Sequence, residues 1–261
     1  MKMPPVEDGA FAVWLARQAG DLLLSLRDEL GFDDPVALRK AGDKRSHDMI
    51  MTELARWRPA DAVLSEEGVD DPARLAASRL WIIDPLDGTR EFGEAGRADW
   101  AVHVALWRRT GADEGVLATG AVALPAQQRV LGSEPAPAYP PLAPSVAAGG
   151  PIRIATSRTR PPAFLTALAE ATGAELVPMG SAGAKIAAVV TGDVDAYIHD
   201  GGQYEWDSAA PVAVAAAAGL HTSRVDGSPL VYNQGTASLP DLLVCRMDLG
   251  AELLSAISQH R

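Results

Sequence analysis

Apolar residues recur at helical spacing over 11–30 (Val13, Leu15 and Ala19, then Leu22, Leu23, Leu26 and Leu30), which predicts a first amphipathic helix ended by Gly31. A second helix is expected over about 46–57, stopping before Pro59. Apolar runs then predict strands around Val63, around Trp81, over 100–107, and over 115–125 and 128–132, the last two in the same sheet. The proline-rich stretch 134–151 reads as a connector or surface loop, and it divides the chain into an expected first half (1–150) and second half (151–261). Beyond it the pattern predicts a strand at 152–155, helices over about 162–172 and 182–190, and a strand at 194–199. An Ala-rich helix over 208–218 follows, with Asp207 at its N-cap, Pro211 in its first turn and Gly219 just past its end. A short strand near His221, a closing strand at 242–246 and a terminal helix over 249–257 complete the order. Strands and helices mix without a regular βα repeat, which argues for an α+β fold rather than a plain doubly wound sheet.

The chemistry concentrates where these elements end. Trp81-Ile82-Ile83 leads into Asp84-Pro85-Leu86-Asp87-Gly88-Thr89, with the chain expected to turn at Pro85 and Gly88 allowing a positive φ. Ordinary turn chemistry by Asp and Gly is the competing explanation. Two further acidic elements weigh against it: Glu66-Glu67 after the apolar run Ala62-Val63-Leu64, and Glu205-Trp206-Asp207 before the Ala-rich helix. Unpaired buried carboxylates cost several kcal/mol, and three acidic elements at element ends suit hard oxygen ligation of Mg²⁺.

Composition narrows the function classes. A 261-residue chain with 48% hydrophobic and 22% charged residues can bury a sizeable core and is ordinary for a soluble protein. Its 23 basic against 34 acidic residues give a net charge of −11, which repels nucleic-acid polymers and anionic membranes. The same charge repels a phosphorylated substrate, so a small anion needs local compensation by metal and a few basic groups. The single Cys245 excludes an internal disulfide, suits a reducing cytoplasm and is expected in a buried strand. A polar, proline-broken start predicts no signal peptide, and Arg17, Gln18, Asp21, Arg27 and Asp28 interrupt the first helix too often for a membrane span. The five histidines show no metal-ligand pattern and are expected to be structural or exposed. Asp193-Val194-Asp195 lacks the preceding apolar strand of an aspartyl nucleophile, and 180–185 lacks the spacing of a P-loop.

Glu66-Glu67, then WIIDPLDGT over 81–89, then Trp206-Asp207 followed by Ser208-Ala209-Ala210, resemble in order and spacing the motifs of the inositol monophosphatase superfamily of Mg²⁺-dependent, lithium-sensitive phosphatases. Arg90-Glu91-Phe92 after the DGT, together with 180–185 and 227–233, resembles the branch that acts on 3'-phosphoadenosine 5'-phosphate. The resemblance implies a layered αβαβα sandwich with the site between the halves, and Asp207 reaching a site otherwise built from the first half. It implies that Glu66, Asp84, Asp87 and the Leu86 carbonyl hold Mg²⁺, that Asp207 holds a second ion, and that two or three ions take part. The family places a carboxylate at the separation Asp43 has from Glu66, and there it helps Thr89 orient the attacking, metal-activated water. The local sequence around Asp43 departs from the usual pattern, and a place near a helix N-cap is its other reading. Gly88 and Thr89 are expected to cradle the phosphate through backbone N–H groups. Glu67 either orients the metal shell or faces solvent. Lys185 either reaches the nucleotide or lies on a helix surface. Arg90 and Arg158 or Arg160 are candidates for a second phosphate, and Tyr232 and Asn233 for a purine pocket or a strand-end turn. The implied activity is hydrolysis of the 3'-phosphate to AMP in sulfur assimilation, in the cytoplasm, on a small phosphorylated nucleotide, with a homodimer allowed. Inositol-1-phosphate or fructose-1,6-bisphosphate hydrolysis is the alternative within the class, and a non-catalytic regulatory binding protein the alternative outside it.

Overall fold

Helices α1 (Asp8–Leu30) and α2 (Pro35–Trp57) cover one face of a five-stranded sheet in the computed structural model, which describes residues 3–112, 114–142, 146 and 149–261. Helix α1 ends where expected, at Gly31 with φ 64°. Helix α2 starts much earlier than expected. Asp34 caps it by accepting the Val36 and Ala37 N–H groups, and Pro35 occupies the first turn, where a missing N–H is harmless. Asp43 therefore sits mid-helix, not near an N-cap.

The first sheet runs β1 (Ala62–Ser65), β2 (Arg79–Asp87), β3 (Ala101–Arg109), β4 (Gly115–Leu124), β5 (Arg129–Gly132), in that spatial order. Strands β1 and β2 are parallel and the other pairs antiparallel. A short helix α3 (Thr89–Phe92) follows β2. The second sheet has the order β7-β6-β8-β10-β9, from β6 (Arg153–Ser157), β7 (Glu175–Met179), β8 (Ala196–Asp200), β9 (His221–Ser223) and β10 (Asp241–Cys245). Strand β7 is not evident in the sequence because Pro178 interrupts it. The structure accommodates that proline on an edge strand, opposite Thr156.

Helices α5 (Ala182–Thr191) and α6 (Glu205–Ala217) fill the space between the sheets, while α4 (Phe164–Thr172) and α7 (Gly250–His260) cover the outer face of the second. Three apolar clusters follow these layers: α1, α2 and the first sheet; the central helices with both sheets; and α4 and α7 with the second sheet. The architecture is the expected α+β, αβαβα sandwich. Helix α6 belongs by chain order to the second sheet, yet it packs on β4, β3 and β2 of the first. Cys245 is fully buried in β10, and burial pushes its thiol up to about 12. The connector 134–151 includes residues 143–145, 147 and 148, outside the described ones; within its described part the Pro140 carbonyl accepts from Arg246. No helix among the described residues is long and apolar enough to cross a membrane.

Candidate active site

Strand β2 does not turn at Pro85. It continues to Asp87 with a bulge: Asp84 lies opposite His103 and Asp87 opposite Ala101, so three steps on β2 meet two on β3. In a regular strand, residues three apart face opposite sides; the extra residue brings both aspartates to one side. The chain leaves the strand at Gly88, whose left-handed conformation (φ 83°, ψ 41°) starts α3 and turns Thr89 back toward the carboxylates.

The two aspartates differ in support. Asp84 is 1% exposed and accepts the Leu86 N–H at 3.0 Å. Burial, then Glu66, Asp87 and Asp207, raise its carboxyl well above the usual range. Burial also works against ionised Asp87, but contacts from His103, Ser181 and Gly183 outweigh it and hold the carboxyl at about 2. Ser181 Oγ donates to Asp87 Oδ2 at 2.5 Å and the Gly183 N–H at 2.7 Å. Ser181 itself has the uncommon φ of 46° and caps α5 by accepting the Ala184 N–H. His103, fully buried, completes the support, with Nε2 3.2 Å from Asp87 Oδ2 and Nδ1 3.0 Å from the Trp206 carbonyl oxygen. Only the imidazolium can donate from both nitrogens. Burial opposes that form, and Asp87 and Trp206 together raise the histidine above its ordinary value.

Glu66 follows β1, with its backbone N–H bonded to the Ile83 carbonyl. Enclosure, then Asp207, Asp87 and Glu67, push its carboxyl up to about 7, against an opposing contact with Asp84. Asp207 is not an N-cap. Tyr204 holds that place, and Asp207 at the third helical position accepts the Tyr204 N–H at 2.7 Å. Burial, then Asp87, raise Asp207 to about 6. On the opposite wall Thr89 Oγ lies 3.2 Å from Asp43 Oδ1 and 3.1 Å from the Leu86 carbonyl oxygen. Burial, then Glu67, lift Asp43 to about 6.

Glu66, Asp84, Leu86, Asp87, Gly88, Thr89, Lys185 and Asp207 line one cleft of about 300 Å³. Asp43 and Glu67 line a neighbouring pocket, and Glu67 is exposed. Donor atoms of Asp84, Asp87 and His103 lie within 4.8 Å of one another, a group that could hold a metal ion. His103 Nδ1 meets the Trp206 carbonyl and Nε2 lies beside Asp87, so carboxylate oxygens are what the group presents to the cleft. Several raised carboxyls with few cations between them fit a hard divalent ion, which would relieve their repulsion.

Other expected residues fall differently. Lys185 is buried, not on a helix surface. Its Nζ donates to the Gly180 and Ser181 carbonyls at 3.0 and 2.7 Å, and burial pushes it down to about 8. Arg90, Arg158 and Arg160 all line the cleft, and Arg158 is paired there with Glu91 and Glu94. Tyr232 and Asn233 lie outside it. Tyr232 pairs with Ser208, and Asn233 with Arg74 and Glu205, which matches the alternative reading of a structural turn. His103 is one of the expected structural histidines, and it attends the site through Asp87. Its signal was its place in the strand running alongside Asp84, invisible without the pairing register.

A pH dependence of stability follows. Glu66, Asp207 and Asp43 hold protons in the folded state at pH values where the unfolded chain has released them, so folding weakens as pH rises from about 4.5 through 7. His103, raised, acts in the same direction; His199, held near 4 by burial, opposes over most of that window and no longer above it. Metal-free protein should melt several degrees lower at pH 8 than at pH 5.5, and Mg²⁺ should restore more at pH 8. A melting temperature in EDTA that climbs over this range would contradict the assignment.

The inositol monophosphatase family model matches residues 8–259. The chain is 53% identical to the 3'-phosphoadenosine 5'-phosphate phosphatase of Mycobacterium leprae (strain TN), over 97% of this chain and 94% of that one. It is 31% identical to the 3'(2'),5'-bisphosphate nucleotidase CysQ of Escherichia coli (strain K12), over 84% and 91%. Among solved structures, inositol monophosphatase-II from Staphylococcus aureus MSSA476 superposes with a TM-score of 0.75 at 22% identity, covering 94% of this chain and 92% of that one. Sequence and sandwich agree, and the chain belongs to the inositol monophosphatase family.

Proposed function

We propose that this chain is a Mg²⁺-dependent 3'(2'),5'-bisphosphate nucleotidase that removes the 3'-phosphate of 3'-phosphoadenosine 5'-phosphate and yields AMP. The observation that carries the reading is the cleft, where acidic side chains from three distant segments face Lys185, Arg90 and Arg160. The name of the 53% identical relative supplies the substrate. Glu66, Asp84, Asp87 and the Leu86 carbonyl would hold one ion and Asp207 another, with two or three ions in all. When bound, Mg²⁺ neutralises the phosphoryl oxygens, lowers the pKa of water and stabilises the leaving alkoxide.

The chain's own groups orient the reaction. Thr89 has one hydroxyl hydrogen and two acceptors in reach. When it donates to Asp43, its oxygen can accept from a water on the cleft side and aim that water at phosphorus. The proton then passes through the Thr89 hydroxyl to Asp43, whose elevated carboxyl suits a general base. Gly88 and Thr89 offer backbone N–H groups to the phosphate. Lys185 has one N–H beyond the two spent on carbonyls and sets a positive charge beside Asp87 and Asp207. Arg90 and Arg160 are the rim groups for a second phosphate. The halves 1–150 and 151–261 act as one unit, in the cytoplasm, clearing a by-product of sulfur assimilation.

Phosphate release from 3'-phosphoadenosine 5'-phosphate, inositol-1-phosphate and fructose-1,6-bisphosphate, each with Mg²⁺ and with EDTA, tests this. Expected is a kcat/KM at least ~100-fold higher for the nucleotide, abolished by EDTA and inhibited by Li⁺. Preference for inositol phosphate would overturn the substrate assignment. No release from any of the three would point to a binding protein instead.

A further inference from the structure

Arg74 lies on a one-turn 3₁₀ helix (Pro72–Ala76), eight residues after Glu66, and is 2% exposed although fully charged. Burying a guanidinium is costly unless its donors are met, and four of its five are. Nε and Nη2 bind Asp70 as a fork (2.6 and 3.0 Å), Nη1 donates to Asn233 Oδ1 (2.7 Å), and Nη2 also to the Gln234 carbonyl (3.0 Å). Asn233 is held in the left-handed region (φ 61°), and its N–H and that of Gln234 both donate to the fully buried Glu205 carboxylate, at 2.7 and 2.8 Å. Glu205 is the first residue of α6, two before Asp207. A continuous chain of buried polar contacts thus runs from the segment that follows Glu66 to the helix that carries Asp207.

We propose that Arg74 is a positioning residue: through Asn233, Gln234 and Glu205 it fixes the separation of the Glu66 turn from the Asp207 helix, and so presets the spacing of metal ligands contributed by both halves of the chain. The inference rests on the metal-binding reading above. A guanidinium fork suits this task because it satisfies a carboxylate, an amide and a carbonyl in one plane. A lysine at the same place offers no such geometry. Groups that orient metal ligands from outside typically change affinity 10–100-fold when lost.

The test uses full-length protein and Mn²⁺ alone as probe, its binding followed by the loss of the free-ion EPR signal, alongside melting temperature. Arg74→Lys should weaken Mn²⁺ binding about tenfold and raise the Mg²⁺ concentration for half-maximal activity, with kcat at saturating Mg²⁺ nearly kept. Asn233→Gly keeps the backbone conformation but removes the acceptor of Nη1; it should shift Mn²⁺ affinity in the same direction and stands in if the Arg74 variant does not fold. Arg246→Lys is the comparison, a buried arginine whose partners are Pro140 and Asp248; it should lower the melting temperature and leave Mn²⁺ affinity as it was. If Arg74→Lys and Asn233→Gly melt earlier yet bind Mn²⁺ like the wild type, Arg74 merely stabilises the fold and the proposal fails. Wild-type protein that binds no Mn²⁺ would instead overturn the metal site itself, a separate result.

Discussion

Asp84→Asn is expected to lower kcat/KM at least ~1000-fold while leaving the metal-free protein as stable as the wild type or more so at pH 8. The activity loss follows from removing a carboxylate from the centre of the acidic cluster, where an interaction with a bound divalent ion of about 4 kcal/mol in the transition state corresponds to three powers of ten. The stability gain follows from the same burial. Asp84 is pushed well above the usual carboxyl range by enclosure and by Glu66, Asp87 and Asp207, so ionising it in the absence of metal opposes folding. Asparagine keeps the acceptor for the Leu86 N–H and can place an N–H₂ toward Glu66, removing one repulsive charge without leaving a void. Steady-state kinetics together with melting curves in EDTA and in Mg²⁺ check both halves. The variant should also lose most of the Mg²⁺-induced rise in melting temperature. Activity within tenfold of wild type would make Asp84 an ordinary turn residue.

Gly183→Ala is expected to be damaging as well, although it adds a single methyl group to a residue no chemical step uses. A Cβ at this position would fall 2.0 Å from His103 Nε2 and within 3.0 Å of two more ring atoms. His103 is fully buried between the Asp87 carboxylate and the Trp206 carbonyl, so the helix start must move instead. Movement of α5 takes the Gly183 N–H and the Ser181 hydroxyl away from Asp87, and with them the contacts that keep that carboxylate ionised and aimed. Activity should fall by about 10- to 100-fold, the usual cost of disturbing groups that orient a metal ligand. Overpacking of roughly 1–3 kcal/mol implies a melting temperature lower by about 3–10 °C. Gly235→Ala, where a Cβ meets nothing within 4 Å, should be silent in both assays. A fully active Gly183→Ala enzyme would mean that the His103 support of Asp87 does not matter.

The metal-ligand candidates are legible in the sequence because carboxylates at the ends of apolar runs are expensive and therefore conspicuous. Their supports are not. His103 looks like any polar residue inside a strand until the β2–β3 register sets it beside Asp84. The bulge that brings Asp84 and Asp87 to one side leaves no mark other than Pro85, which reads equally well as a turn. Helix α2 is obscured because Arg39-Lys40 and the charged run Asp43-Lys44-Arg45 break its apolar spacing, and only Asp34-Pro35 betrays its start. Asn233 carries a polar side chain that suggests substrate contact, but it pairs with Arg74, which the linear sequence does not bring near; Lys185 lines the cleft while turning two of its N–H groups back to the Gly180 and Ser181 carbonyls. The order of layers, by contrast, follows from helices and strands whose periodicity is plain.

Helix α6 lies on the inner face of the first sheet, close enough that a Cβ at Gly120 would strike the Ala210 carbonyl oxygen at 2.7 Å. During synthesis that sheet is complete by residue 132, but its cover emerges from the ribosome only some eighty residues later. For that interval the nascent polypeptide carries a bare apolar surface formed by Ala105, Trp107, Val122 and Leu124. Truncation anywhere before Ala217 makes that exposure permanent, so fragments ending there will need chaperones or solubilising partners to avoid aggregating.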